Sequence, residues 1–302
     1  MVSSLVDKMS ETRYLIRILE PNSKRNENRM SPHTYDSDAT AMIVGVGLMG
    51  QYMARNVPFW LGLKKLVLVD QVSHINVGGI NTALSDYAAE IPSGSQTAVV
   101  AETVDVRSED EVRMLFEKHQ GIRYLQYTAG ISPRPLTAPE NLTREDVMGA
   151  CEVNLWGAHN VLKQGINTGA FAQPRTHGVI ITSTSATVGS EGRASAAYEE
   201  SKGGLLNLLR LQSRYFTEKH GIVLNGLAPS PLRGPMAAQN EVSAGRLQSV
   251  EDMMPLGGLT DPSHIAAATM FFWANECWCV GEVLTTDGGY TKHRPIYGAL
   301  DA

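Results

Sequence analysis

The chain has 302 residues, 43% of them hydrophobic and 19% charged, enough apolar material to bury one large core in a single α/β domain. A net charge of −5 and an isoelectric point near 5.9 argue against a nucleic-acid surface, which needs clustered Lys and Arg. Three cysteines are too few for a disulfide framework, no apolar run approaches the ~20 residues of a membrane span, and no basic-then-apolar leader opens the sequence. The expected compartment is therefore the cytoplasm.

Residues 1–40 stand apart as a mixed-charge, polar extension. Leu5, Met9, Ile16 and Leu19 make one short helical stripe ended by Pro21. The stretch reads as poorly ordered or briefly helical, with a partner-docking arm as the alternative.

From Ala41 the pattern sharpens into a domain expected to run over 41–295. Met42-Ile43-Val44 predicts a strand, and Gly45-Val46-Gly47-Leu48-Met49-Gly50 the turn into a helix through Ala54. In that setting G-x-G-x-x-G marks a dinucleotide site. Gly45 permits a tight turn, Gly47 a close approach of backbone to pyrophosphate, and Gly50 close helix–strand packing, while Leu48 and Met49 open a helix whose first N–H groups face the phosphates. The strand Leu66–Asp70 ends in a carboxylate about twenty residues past the turn. Asp70 is placed to accept from both hydroxyls of the adenosine ribose, and its charge repels a 2′-phosphate. Gln71 brings no cation to reverse that preference, so NAD is favoured over NADP.

A helix with Ile80, Leu84, Tyr87, Ala88 and Ile91 on one face leads to a strand over Ala98–Val104, after which Asp105 is a candidate cap for the next helix. The strand Arg123–Tyr127 runs into Thr128, Ala129 and Gly130, small residues that let backbone approach a cofactor. Residues 144–169 predict one long helix with Val147, Cys151, Asn154, Ala158 and Leu162 along one side, where an Asn must find partners or cost a few kcal/mol.

Val179–Ile181 is β-branched and buried in character, so Ser185 sits just past a strand's carboxyl end. Tyr198 stands near a helix start, followed by Leu205, Leu206, Leu208, Leu209 and Leu211 at core-facing density. Tyr198 and Lys202, four apart, share a helix face. A phenol titrates near pH ~10, and an adjacent ammonium draws it toward neutrality. Alone, such a pair is usually a surface pair; beside Ser185 it is a candidate proton-transfer group. The strand Ile222–Leu227 leads to Pro229, Ser230 and Leu232 and then to a lid at about 232–255. A helix follows over Pro262–Trp273 with Asp261 as N-cap, then the strand Val283–Thr286, the turn Asp287-Gly288-Gly289 and a tail at 296–302. Cys277 and Cys279 have no second pair at zinc spacing and read as core thiols, so no metal site is expected.

Ser185, Tyr198 thirteen positions later and Lys202 resemble the short-chain dehydrogenase/reductase family in its single-domain branch, over about residues 41–290. The resemblance implies a doubly wound, parallel Rossmann sheet of about seven strands with helices on both faces. It implies hydride transfer between NAD and a secondary alcohol or its carbonyl. In that scheme Tyr198 is the general acid/base, Ser185 orients the substrate oxygen, and Lys202 lowers the phenol pKa and holds the nicotinamide ribose. Asn154 bends its helix and holds a relay water. Asp105 and Val106 flank the adenine, and Pro229 and Leu232 lie on the nicotinamide side. A homotetramer or dimer is implied as well. The chain departs from the family pattern in the spacing of its glycines, in Thr128 where Asn is usual, in Ser230 for Gly, and in Gly234 for Thr. An epimerase or dehydratase with bound NAD is the alternative chemistry, and a non-catalytic dinucleotide sensor or scaffold the alternative of another class. Arg193 and Arg233 flank the expected pocket and are placed to pair with an acidic substrate.

Overall fold

The computed structural model describes residues 33–78, 80–91, 97–132, 139–188, 196–232 and 251–292. Contacts divide the chain into Met1–Thr34 and Tyr35–Ala302, and the architecture is that of the second unit. The helical stripe at Leu5–Leu19, Arg193, Arg233, Gly234, most of the expected lid and the tail at 296–302 lie outside the described residues.

Seven parallel strands form one sheet: β1 (Thr40–Val44), β2 (Lys65–Asp70), β5 (Ala98–Thr103), β6 (Ile122–Tyr127), β7 (Thr176–Ile181), β8 (Ile222–Pro229) and β9 (Val283–Thr286). Their order is β5-β2-β1-β6-β7-β8-β9, so the winding reverses between β1 and β6. β1, β7 and β8 are buried along their whole length, as a parallel sheet covered on both faces requires. Alternation divides the apolar residues between the faces. Ile43, Leu66, Leu68, Tyr124, Val179 and Leu227 meet α1 (Leu48–Leu61), α2 (Leu84–Ala89) and α7 (Pro262–Trp273). Met42, Val44, Val67, Val69, Leu125 and Leu224 meet α3 (Glu109–Lys118), α5 (Gly157–Asn167) and α6 (Ala196–His220). The doubly wound fold read from the sequence is the fold observed.

Differences from the sequence reading are local. Ile80 does not lie on a helix: His74–Val77 (β3) and Ile80–Ala83 (β4) pair as an antiparallel hairpin, and Ile80 is 70% exposed. β-branched residues on both sides of Gly78, which sits at φ 58°, favour that hairpin, and only Leu84–Ala89 is helical. The stretch 144–169 is α4 (Arg144–Cys151), a π-turn at Glu152–Trp156, and then α5. Leu211 is 77% exposed, whereas Leu205, Leu206, Leu208 and Leu209 are buried. Asp105 does not cap α3; that role belongs to Ser108, whose side chain accepts from the Glu111 N–H. At α7 the cap is as expected, with Asp261 accepting from Ser263 and Pro262 in the first turn.

Tyr35–Thr40, read with the extension, pack with this unit. The Asp36 N–H donates to Tyr124 Oη at 2.7 Å, Arg123 lies 2.6 Å from the Asp36 carboxylate, and Tyr35 Oη donates to the Met270 carbonyl. Among the described residues no helix is long and apolar enough to cross a membrane.

Candidate active site

At the carboxyl end of β1 the backbone turns at Gly45, φ 96°, where a Cβ would lie 2.7 Å from the Ala129 Cα. A Cβ on Gly50 would run into the Gly45 carbonyl, so the helix closes on the turn only through glycine. Gly47 differs: a Cβ there meets nothing within 4 Å, so it faces open space at the N-terminus of α1. That terminus has no side-chain cap and no acidic residue in its first turn, which includes Leu48 and Met49. Unpaired N–H groups beside an open cradle suit an anionic diphosphate.

Asp70 ends β2 as expected, and Gln71 follows it exposed. Asp70 Oδ2 accepts from the Val46 N–H at 2.7 Å, so the carboxylate is tied to the glycine turn. Asp105 forms a close pair with Arg107, 2.6 Å from Nη2 to Oδ2, and that guanidinium holds its carboxyl below the usual range. The Val106 side chain is buried in the core, and its carbonyl accepts from Asn160. Thr128, in place of the usual Asn, donates through Oγ1 to the Gly45 carbonyl at 2.6 Å, so it fastens β6 to the phosphate turn. Ala129 and Gly130 continue along that wall. A Cβ on Gly130 would lie 3.2 Å from Asn154 Oδ1 and 3.3 Å from Lys202 Nζ, which places this backbone against those two side chains.

Asn154, wholly buried in the π-turn, makes three hydrogen bonds. Its Oδ1 accepts from the Ile131 N–H at 2.8 Å, and its Nδ2 donates to the Ile131 carbonyl at 2.9 Å and to Ser201 Oγ at 2.8 Å. Ser201 in turn donates to the Tyr198 carbonyl at 2.7 Å, which links the bend to the helix that carries the phenol.

Tyr198 and Lys202 share a face of α6, with Nζ 5.7 Å from the centre of the phenol ring. Nζ donates to the Ile181 carbonyl at the end of β7, 2.8 Å away. Burial brings the ammonium down to about 8. Burial also raises the phenol, and the Ser183 hydroxyl beside it opposes that rise. The lowered phenol pKa expected from a neighbouring ammonium is therefore not found: burial moves the phenol the other way.

Ser183 is the residue that spacing missed. It is buried, its hydroxyl meets the phenol, and its Oγ accepts from the Ser185 N–H at 3.1 Å. Thirteen positions before Tyr198 selects Ser185, which is half-buried in the 3-10 turn Thr184–Ala186 that Ser183 caps. The distance from the last strand residue, Ile181, would have picked Ser183. Beyond it, Pro229 is buried at the end of β8, and Leu232 bridges Thr260. Ser230, where Gly is usual, pairs its hydroxyl with Thr260 at 2.5 Å.

A glycine turn, the Asp70 carboxylate tied to it and a Ser–Tyr–Lys group thus line one edge of a 3-2-1-4-5-6-7 sheet. Residues 72–291 match the family model described as enoyl-(acyl carrier protein) reductase. The chain belongs to the short-chain dehydrogenase/reductase family. Short-chain dehydrogenase reductase 3c of Arabidopsis thaliana is 30% identical over 196 residues, 64% of this chain and 74% of its own. Among solved structures, 3-ketoacyl-(acyl-carrier-protein) reductase from Brucella melitensis complexed with NADH superposes with a TM-score of 0.69 at 21% identity, covering 84% of this chain and 99% of that one. A variant of actinorhodin polyketide ketoreductase with NADPH gives 0.72 at 22%, covering 86% and 100%. The chain is accordingly an oxidoreductase of a family whose fold binds a nicotinamide dinucleotide, and the open Gly47 cradle and free helix terminus fit the diphosphate of that cofactor.

Proposed function

We propose that this short-chain dehydrogenase/reductase uses NAD to interconvert a secondary alcohol and its carbonyl, with Tyr198 as general acid/base. The nicotinamide supplies or accepts the hydride. What carries the reading is the meeting of the Tyr198 phenol, the Ser183 hydroxyl and the buried Lys202 ammonium at the end of β7. Ser183, rather than Ser185, holds the substrate oxygen beside the phenol. Tyr198 donates its proton to that oxygen in reduction and takes it back in oxidation. Lys202 holds the nicotinamide ribose and supplies positive charge close to the phenol, and its fixed carbonyl partner keeps it there. Asn154 sets the bend that brings Ile131 and α6 together. Its carboxamide is used by protein groups, so a relay water would rest on the backbone of the π-turn instead.

NAD rather than NADP follows from Asp70, whose carboxylate stands where a 2′-phosphate would have to go, with Gln71 offering no cation. The substrate is a small alcohol or carbonyl compound. Met148, Leu211 and Tyr215, exposed on α4 and α6, support a homo-oligomer paired through these helices, a tetramer or a dimer. The test is a panel of secondary alcohols, hydroxy acids and polyols read by NADH absorbance with wild type and Tyr198→Phe. Turnover of one class that vanishes in the variant supports the reading, and equal turnover by both proteins overturns it.

A further inference from the structure

Between Asp70 and α2 the chain forms the β3–β4 hairpin, and hydrogen bonds tie that hairpin to the phosphate turn. Gln51, in the second turn of α1, donates through Nε2 to the Val46 carbonyl at 3.0 Å and to the Asn76 carbonyl of β3 at 2.9 Å. A primary amide carries two N–H donors, and here one goes to the turn and one to the hairpin. The same residue 46 gives its N–H to Asp70 Oδ2 at 2.7 Å, so its backbone is clamped on both sides, by Asp70 and by Gln51. Asp70 Oδ1 accepts from the Val72 N–H at 3.3 Å at the entry to the hairpin.

The brace is anchored at its far ends. Gln51's own carbonyl accepts from Tyr87 Oη at 2.8 Å, and Tyr87 in turn accepts from Arg55 Nε at 3.3 Å. Ile75 fixes β3 in the core, and the Leu84 N–H donates to the Ser73 carbonyl at 2.8 Å to close the hairpin base. A carboxylate has about four acceptor directions, so two backbone bonds orient Asp70 and leave it free to accept ribose hydroxyls.

We propose that Gln51 and the β3–β4 hairpin form a brace that sets Asp70 and the glycine turn for the adenosine ribose, with Gln51 as a positioning residue that does not itself touch the ligand. The inference rests on the dinucleotide reading of this site. Gln51→Met keeps the length of the side chain and removes both donors. Gln51→Glu keeps its shape and turns lone pairs toward two carbonyls. Affinities for NADH and for ADP-ribose, measured by titration calorimetry, should both weaken about tenfold in Gln51→Met, the loss expected for one or two hydrogen bonds, and further in Gln51→Glu. Lys202→Met is the control from the other end of the site: it weakens NADH and leaves the affinity for ADP, which lacks the nicotinamide ribose, unchanged. In wild type ADP-ribose should slow hydrogen exchange of the hairpin amides, and in Gln51→Met it should not. Unchanged affinities in both Gln51 variants, or a loss for NADH without one for ADP-ribose, overturn the brace alone. A wild-type protein that binds neither NADH nor NADPH overturns the dinucleotide reading and the brace with it.

Discussion

Lys202 is buried at a cost to stability, and Lys202→Met exposes that cost. Bringing the ammonium from its ordinary 10.5 down to about 8 by burial corresponds to about 3 kcal/mol, at about 1.4 kcal/mol per tenfold. Against it stands the bond from Nζ to the Ile181 carbonyl at 2.8 Å, worth about 1.5–3 kcal/mol for a charged donor. At pH 7 the two terms nearly cancel, so the variant should lie within about 2 kcal/mol of wild type. The dependence on pH is more revealing. Below pH 8 the folded and unfolded chains both hold the proton, and the whole burial cost is present. Between 8 and 10.5 the unfolded state binds more protons than the folded one, so wild-type stability rises with pH; above 10.5 the cost is gone. Methionine has no such term. Urea unfolding followed by tryptophan fluorescence at pH 7 and pH 10 should therefore show the wild type gaining about 2–3 kcal/mol relative to the variant, since other titrations are common to both proteins. An equal difference at the two pH values would refute a buried, depressed ammonium.

Tyr198→Phe should fold and bind NADH like wild type, because only an oxygen is lost, while turnover falls by roughly 10²–10⁴-fold or more; stopped-flow hydride transfer measures it. Ser183→Ala should lower turnover strongly and leave NADH affinity unchanged, whereas Ser185→Ala should cost much less, and the reverse order would restore Ser185 as the orienting residue. Asp70→Ala should bring the kcat/KM ratio of NAD to NADP from the order of ten to a thousand toward one, as repulsion and ribose contacts vanish together. Gly157→Ala should destabilise by more than 1 kcal/mol in urea unfolding, because its methyl would run into Tyr127 Oη and lie 2.7 Å from Val106 Cγ2.

The sheet was legible because burial on both faces leaves so plain a trace. Leu66–Asp70 and Val179–Ile181 are apolar runs bounded by turns, and no helix face of that length fits them. The hairpin was not legible, because Ile80, Leu84, Tyr87, Ala88 and Ile91 also satisfy a helical period, and the residues at Gly78 decide the matter through backbone freedom instead of pattern. The π-turn at Glu152–Trp156 was similarly hidden. One extra residue per turn changes no residue type, and only the buried Asn154 within an apolar stripe hinted that the helix was being bent for a purpose.

In the site, the placements that depend on covalent spacing were legible, and those that depend on a fold contact were not. Tyr198 and Lys202 must share a face because four residues on a helix allow nothing else. Ser183 is extended and caps the 3-10 turn Thr184–Ala186 that carries Ser185, and choosing between them needs the depth of Tyr198 relative to the end of β7. The phenol pKa shows the same limit. Spacing brings an ammonium near the phenol, but it cannot say that Lys202 is buried and Tyr198 half-buried, with Nζ turned toward Ile181. Burial disfavours charge on each of them, so two titrations that ordinarily lie close together are driven apart, the ammonium down toward neutrality and the phenol up away from it. A bound dinucleotide whose ribose took up Nζ would change the surroundings of both at once. The pH profile of hydride transfer therefore belongs to the pair, and a single pKa should not be assigned to either residue from it.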